Sequence, residues 1–237
     1  MEGRSALTAL RALVLADGAT ATRDALDRAW PGWCDGIGLV VAADGGARLA
    51  GPLGVTIHRW VGDGDSIDPD ALDRLRESGV SIGLVARDKD ASDAELAILE
   101  ALAAGAVEIS VVGGLGGPRV DHALANIGLL SLPALEGVPA RLLDPSARIT
   151  LIRAPGPDGG PVRLELRGRA GDIVSLLVMG GDVDGVTTEG LRYPLRDEPL
   201  PAGPARGLSN VRLGDACAIT VRRGHLLVVE SPATLSS

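Results

Sequence analysis

Short apolar runs alternate with amphipathic stretches up to residue 152 of the chain. Near-continuous apolar runs predict strands buried on both faces, and apolar residues spaced three or four apart predict helices. The predicted strands are residues 10–15, 39–41, 55–61, 80–86, 107–112 and 141–143, and the predicted helices are residues 22–30, 69–78, 92–104 and 120–130. Because strands and helices alternate, we expect a parallel sheet that is covered by helices.

The pattern changes after residue 152. Residues 154–161 contain three prolines and three glycines, which predicts a linker or a long turn. No long helical period follows, and short strands are predicted at residues 162–166, 172–178, 216–221 and 226–230. The expected fold class is therefore an α/β parallel-sheet N-terminal domain, residues 1–152, followed by a small all-β sandwich domain, residues 153–237.

Composition and charge exclude several functions. The net charge is −8 and aromatic residues make up 2% of the 237 residues, so the chain lacks the basic stripe and the stacking residues that a nucleic-acid partner requires. No apolar run reaches the roughly 18 residues of a membrane span, and the N-terminus lacks the apolar stretch of a signal peptide, so we expect a cytoplasmic protein. Cys34 and Cys217 have no metal-ligand spacing and are interpreted as reduced packing residues.

Four predicted strands end in residues suited to a charged ligand, and ligands of open parallel sheets bind beyond the carboxyl ends of the strands. Asp44 and Gly45 follow the second strand, where glycine lets the backbone approach a ligand, although an ordinary turn has the same pattern. Asp63 and Asp65 follow the third strand. Two such carboxylates repel by about 1 kcal/mol in water, and Mg²⁺ removes this cost. The alternative is a solvated turn.

The segment after the fourth predicted strand is rich in charge. Ser92 has the spacing of a helix N-cap, which places Asp93 in the first helical turn, where the helix dipole alone can explain an acidic residue. The dipole does not explain Lys89 and Asp90. Lys89 is the only lysine in a chain whose other 22 basic residues are arginines, which favours a phosphate contact. Alternatively, Lys89 neutralises the aspartates on either side.

A glycine-rich segment follows the fifth predicted strand and leads into a helix. Gly113 and Gly114 begin this segment, and free amides at a helix start favour phosphate. The segment is neither a Walker motif nor a dinucleotide-binding motif. Arg119 is placed to reach a phosphate and Asp121 to join the metal ligands. Together the four strand ends predict a Mg²⁺–polyphosphate site.

Seven segments, in this order, resemble the thiamine pyrophosphokinase family. They are residues 43–47 (ADGGA), 62–66 (GDGDS), 88–95 (DKDASDAE), 113–127 (GGLGGPRVDHALANI), 171–176 (GDIVSL), 185–195 (GVTTEGLRYPL) and 207–210 (GLSN). The resemblance implies transfer of the pyrophosphoryl group from ATP to thiamine, giving AMP and thiamine diphosphate. The chain departs from the family pattern at Gly64, where a bulky residue is more common, and at residues 116–118, which lengthen the fourth loop.

The resemblance also implies roles for individual residues. Asp63, Asp65 and Asp93 would hold Mg²⁺, and Asp121 would lie close by. For the mechanism, our own hypothesis is that either Asp121 or Asp90 accepts the proton of the thiamine hydroxyl, and the sequence does not choose between them.

For thiamine, the resemblance implies a pocket with Ser209 and Asn210, and with Tyr193 nearby. It implies a homodimer with each active site between the α/β domain of one subunit and the sandwich of the other. Two alternatives stay open: a pyrophosphokinase that acts on another alcohol, such as a hydroxymethyl pterin, and a non-catalytic protein that binds a nucleotide or thiamine.

Overall fold

The chain forms two compact units. A computed structural model describes residues 9–19, 21–86, 88 and 90–233 of the 237 residues. The first unit lies within Met1–Asp27 and Gly32–Ala140, and the second lies within Arg28–Pro31 and Arg141–Ser237.

The first unit alternates strands and helices, as the hydrophobic pattern predicts. Its elements are β1 Arg11–Leu15, α1 Arg23–Ala29, β2 Ile37–Ala43, α2 Ala50–Leu53, β3 Arg59–Gly62, α3 Pro69–Glu77, β4 Ser81–Leu84, α4 Asp93–Ala103, β5 Glu108–Val112 and α5 Val120–Leu129. Short 3₁₀ turns occupy Asp44–Leu49 and Pro133–Leu135. The last two residues of α1 belong to the second unit.

The strands of the first unit form a parallel sheet in the order β4-β3-β2-β1-β5. β1 lies between β2 and β5, so that Val14 is opposite Val41 on one side and Val111 on the other. β1, β2 and β5 are mostly buried, as expected for strands rich in apolar residues. The chain builds the sheet outward from β1 to β4 and then returns to the other side of β1. This reversal creates a topological switch point between β1 and β5.

The second unit is antiparallel throughout its described strands. They are β6 Ala140–Asp144, β7 Ala147–Ala154, β8 Val162–Arg167, β9 Ile173–Glu189, β10 Glu198–Leu200, β11 Asn210–Val211, β12 Ala216–Val221 and β13 Arg223–Ser231. Their order is β6-β7-β13-β9-β12-β8, and β10 and β11 pair with β9. A single apolar core, which includes Val174, Val186, Ile219 and Val228, packs between these strands.

The predicted fold class, a parallel α/β part followed by an antiparallel β part, is confirmed. The compact units divide at Ala140, before the predicted boundary at residue 152. The reason is that the predicted strand 141–143 lies in β6, which pairs antiparallel with β7, and β7 in turn pairs with β13. Among the described helices, none has both the length and the apolar character that a bilayer crossing requires.

Candidate active site

A cleft of about 440 Å³ opens at the carboxyl ends of β1, β2 and β5. Its walls come from the segments that follow these strands and from the first turns of α4 and α5. It therefore lies at the switch point of the parallel sheet, where the topology favours a ligand site. Four residues predicted from the sequence line it, namely Asp44, Asp93, Gly114 and Arg119.

Three carboxylates converge beside this cleft. One oxygen from each of Asp44, Asp63 and Asp65 lies within 4.8 Å of the other two. Asp44 is buried, Asp63 is half-buried and Asp65 is exposed, so the cluster runs from the protein interior to the solvent. Asp63 and Asp65 were predicted as metal ligands, whereas Asp44 was predicted only as an ATP contact.

Asp44 is held in an unusual conformation. Its φ of 41° lies in the left-handed region, and its carbonyl oxygen accepts a hydrogen bond from the buried indole of Trp60 at 3.0 Å. Its side chain is 2% exposed, and Oδ2 accepts a hydrogen bond from the Ser66 amide at 3.1 Å. Burial raises the pKa of this carboxyl, the Ser66 bond lowers it, and the charges of Asp93 and Asp63 raise it further.

These features fit a divalent cation. Oδ1 of Asp44 is buried and has no hydrogen-bond partner among the described residues, which is costly for a carboxylate oxygen unless a cation binds it. Hard cations such as Mg²⁺ prefer oxygen ligands of this kind. The Asp65 amide donates to Oδ1 of Asp63 at 3.0 Å, which fixes the turn that carries both carboxylates.

Asp93 lies in the first turn of α4, as predicted. Ser92 is the N-cap, and its hydroxyl accepts a hydrogen bond from the Glu95 amide at 3.2 Å. Asp93 lines the cleft but is not part of the three-carboxylate cluster. Its charge nevertheless raises the pKa of Asp44, so the two carboxylates share one electrostatic environment.

Asp17 is a cleft residue that the sequence analysis missed. It follows β1, and its carboxylate forms an ion pair with Arg48, whose second amino group donates to the carbonyl of Gly18. Burial raises the pKa of Asp17 and the Arg48 guanidinium lowers it. The sequence signal that could have identified Asp17 is the one used for Asp44, an aspartate followed by a glycine just beyond a buried strand.

Close packing explains two glycines that adjoin the cleft-lining residues Asp44 and Gly114. Gly113 has a φ of 76°, and a Cβ there would lie 2.2 Å from the carbonyl oxygen of Ala16. A Cβ on Gly45 would lie 2.6 Å from Oδ2 of Asp17. The amide of Asn126 on α5 donates to the Gly114 carbonyl at 2.9 Å and ties the glycine-rich loop to the helix.

Arg119 and Asp121 pair with each other at the start of α5. The guanidinium donates to both carboxylate oxygens, at 2.9 and 2.6 Å, and both side chains are exposed. The pair holds the pKa of Asp121 well below its usual range. Arg119 lines the cleft, but Asp121 is not among the lining residues. Asp90 is exposed on the segment before α4, and Lys89 lies outside the described residues.

The three predicted thiamine residues come together in the second unit. Oδ1 of Asn210 accepts the Tyr193 amide at 3.0 Å, and Nδ2 donates to the Tyr193 carbonyl at 2.7 Å. Ser209 has a φ of 57°, and its amide donates to the Ser175 hydroxyl at 3.0 Å. Asn210 is buried and Tyr193 is exposed, so Asn210 supports the segment that presents the tyrosine ring.

A switch-point cleft with clustered carboxylates and a glycine-rich loop is typical of proteins that bind phosphorylated ligands. The sequence matches the family described as "Thiamin pyrophosphokinase, catalytic domain" over residues 34–140 and "Thiamin pyrophosphokinase, vitamin B1 binding domain" over residues 162–226. The chain belongs to the thiamine pyrophosphokinase family, whose enzymes make thiamine diphosphate.

One sequence relative is similar over most of the chain, and two solved structures share its fold. The thiamine pyrophosphokinase of Bacillus subtilis (strain 168) is 25% identical over 200 residues, covering 84% of this chain and 90% of that protein. A crystal structure of the Bacillus subtilis protein has a TM-score of 0.76 at 22% identity and covers 93% of this chain and 98% of the other. The yeast structure has a TM-score of 0.72 at 17% identity, covering 96% and 88%.

Proposed function

We propose that this chain transfers the pyrophosphoryl group of ATP to the hydroxyl of thiamine, giving thiamine diphosphate and AMP. The observation that carries the proposal is the convergence of Asp44, Asp63 and Asp65 beside the switch-point cleft. All three lie in the part of the chain that matches the catalytic-domain family. A site of this kind suits a highly charged phosphate chain, because pyrophosphoryl transfer depends on positioning and on charge neutralisation.

Asp63 and Asp65 are the proposed Mg²⁺ ligands, and Asp44 offers a third oxygen from the buried side. Asp93, predicted as a ligand from the family resemblance, is proposed as an acidic neighbour that faces the same cleft. When bound, Mg²⁺ supplies charge neutralisation to the phosphates and orients them. The cluster reaches the solvent at Asp65, and this is the side from which we propose that the phosphate chain enters.

The glycine-rich loop is the proposed phosphate cradle. Gly113 begins this loop, the backbone of Gly114 lines the cleft, and the start of α5 adds the positive end of its dipole. Arg119 lines the same cleft and stabilises charge that develops on the transferred group. Lys89 and Asp90 are proposed as further ATP contacts on the segment before α4.

The ion pair between Arg119 and Asp121 bears on which aspartate accepts the proton of the thiamine hydroxyl. Asp121 is held by Arg119, and a carboxylate of low pKa is a weak base, so this pairing favours Asp90 over Asp121 for that step. We propose that Asp121 instead orients Arg119 toward the phosphates.

We propose that Tyr193, Ser209 and Asn210 contact thiamine. All three lie in residues 162–226, which match the vitamin B1 binding domain. Tyr193 is exposed and offers a ring face that suits a cationic aromatic ligand.

A homodimer, with its active sites at the subunit interface, is also proposed. No residue of α5 is buried, and its Val120 and Leu124 are 70% and 64% exposed. Exposed apolar side chains on one helix beside the cleft favour a protein partner, and a second copy of the chain is the simplest. A cytoplasmic location is proposed because ATP, the co-substrate, is available there.

The test is incubation of the protein with ATP, Mg²⁺ and one acceptor at a time, followed by chromatography of the products. We expect AMP and thiamine diphosphate in equal amounts with thiamine, and no AMP without an acceptor. AMP formation only with a hydroxymethyl pterin would identify a different acceptor. Binding of ATP without AMP formation for any acceptor would refute the enzymatic proposal.

A further inference from the structure

A buried ion network in the second unit has no role in the proposed chemistry. The side chain of Arg212 is 0% exposed, and its Nη2 donates to Oε1 of Glu230 at 2.5 Å. Arg148 donates to the two oxygens of the same carboxylate at 2.6 and 2.7 Å, and its guanidinium lies 4.7 Å from the centre of the Trp30 ring. Buried ion pairs contribute little net stability, so their best-attested use is to fix one arrangement of the chain.

Arg212 bonds to two strands and to the residue that precedes a third. Its Nη1 donates to the carbonyl of Leu166 in β8 at 3.0 Å, while Nη2 reaches Glu230 in β13. Its main-chain amide donates to the carbonyl of Asp172, just before β9, at 2.9 Å. Hydrogen bonds of both the side chain and the main chain therefore hold Arg212 in place.

The residues before Arg212 form little regular β-sheet. β11 is only Asn210–Val211, and it pairs with two residues of β9. The preceding residues, 201–206, are all exposed. A strand this short has few ladder hydrogen bonds, so its register depends on the contacts at its two ends. These are the bond from the Ser209 amide to the Ser175 hydroxyl before the strand and the bonds of Arg212 after it.

The segment that carries Tyr193 is attached to β11 and Arg212. Asn210 bonds to both the amide and the carbonyl of Tyr193, and the Arg192 amide donates to the Val211 carbonyl at 2.9 Å. Leu191 forms an antiparallel bridge with Arg212. A displacement of Arg212 would therefore move Asn210 and Tyr193 together.

We infer that Arg212 is a positioning residue for the thiamine side of the reaction, because its buried guanidinium fixes the register of β11 and so the placement of Asn210 and Tyr193. The inference rests on the proposed function. It assigns Arg212 no contact with substrate, since the side chain is fully buried. It predicts a selective effect on thiamine, because the first unit, which carries the ATP cleft, contains none of these residues.

The kinetic test compares Arg212→Met and Arg212→Lys with Arg223→Met. Arg223 is a matched control because it lies in the same unit and pairs with Asp184 on an exposed surface. We expect Arg212→Met to raise the KM for thiamine by about tenfold or more, since a loss of about 1.4 kcal/mol in the contacts of Asn210 and Tyr193 with thiamine is a tenfold loss of affinity. The KM for ATP should stay within about twofold. Arg212→Lys, which keeps the charge but loses the forked geometry, should lie in between.

A second readout does not depend on turnover. Tyr193 is the only tyrosine of the chain, so incorporation of 3-fluorotyrosine gives a single ¹⁹F resonance. We expect this resonance to shift or broaden in Arg212→Met and Arg212→Lys but not in Arg223→Met. We also expect it to move when thiamine is added to the wild-type chain.

The outcomes separate the two proposals. If the wild-type resonance does not respond to thiamine and no thiamine diphosphate forms, the proposed function fails. If the wild type responds and turns over, but the Arg212 variants keep the wild-type resonance and thiamine KM, the positioning role is wrong. An equal rise in both KM values would also overturn it, because it would indicate a general loss of structure.

Discussion

Replacement of Asp44 by asparagine is expected to stabilise the metal-free protein while it abolishes activity. Asparagine tolerates a positive φ about as well as aspartate, and its side-chain oxygen can keep the hydrogen bond from the Ser66 amide, so the backbone should not change. What changes is the charge. The substitution removes one of three carboxylates whose oxygens lie within 4.8 Å of one another.

The magnitude follows from the geometry. Two unit charges at 4.8 Å repel by about 3–4 kcal/mol at an effective dielectric constant of about 20. Asp63 is half-buried and Asp65 is exposed, so water screens much of this repulsion, and we expect a gain of about 1–2 kcal/mol in the free energy of unfolding. For a chain of this size that gain corresponds to a rise of about 2–8 °C in Tm.

The assay is thermal unfolding in EDTA and again in Mg²⁺. Saturating Mg²⁺, at about 100 times Kd, should stabilise the wild type by about 2.7 kcal/mol and the Asp44→Asn variant by less. The pKa of Asp44 is raised in the folded state, so protonation favours folding. The ionised Asp44 carboxylate therefore destabilises the folded protein near neutral pH, and this destabilisation, which Asp44→Asn removes, disappears as the pH falls through the folded-state pKa of Asp44.

Asp73→Asn is the control, because Asp73 is exposed and forms an ion pair with Arg76 on the surface of α3. Its Tm should match the wild type in both buffers. If Asp44→Asn were less stable than the wild type in EDTA, or gained as much from Mg²⁺, the cation-binding role of Asp44 would be refuted.

Three further predictions concern the glycine-rich loop, the exposed face of α5 and the two cysteine thiols. Gly113→Ala should lower the denaturation midpoint more than Gly105→Ala, because both glycines have a positive φ but only the first would bring a Cβ within 2.2 Å of a backbone oxygen; equal losses would contradict this. Leu124→Glu should shift the mass measured by light scattering from dimer to monomer, and an unchanged dimer would show that a second copy does not cover α5. At pH 8, iodoacetamide should modify half-buried Cys34 well before Cys217, because burial raises the pKa of the Cys217 thiol and delays thiolate formation to higher pH; equal rates in mass spectrometry would count against that burial.

The acidic site was largely predictable, because the carboxyl ends of parallel strands meet at one edge of a sheet. Asp44, Asp63 and Asp65 each follow a buried strand, and the structure brings them together. Asp17 also follows a buried strand, but the segment just after β1 contains no second acidic residue that would suggest a metal site. Its partner, Arg48, lies 31 residues away, and no local pattern connects the two.

The β unit was harder to predict, because glycines normally interrupt strands. Residues 172–178 were predicted as a strand, yet β9 continues to Glu189 through Gly180, Gly181 and Gly185. The strand bends there as it changes its neighbour from β13 to β12, and glycine permits this bend. Likewise, the sequence could not reveal that the polar atoms of Asn210 bind the backbone of Tyr193, because that pairing depends on the fold.

The most direct measurement of the central claim is the rate of AMP formation from ATP and thiamine by Asp65→Asn. The variant should fold as the wild type does, because Asp65 is exposed, and should lose about a hundredfold or more in rate, because a ligand of the proposed cation is gone. Asp73→Asn, with an equal change of charge on α3, should keep its rate. Near-normal AMP formation by Asp65→Asn would contradict the claim that these carboxylates form the catalytic metal site.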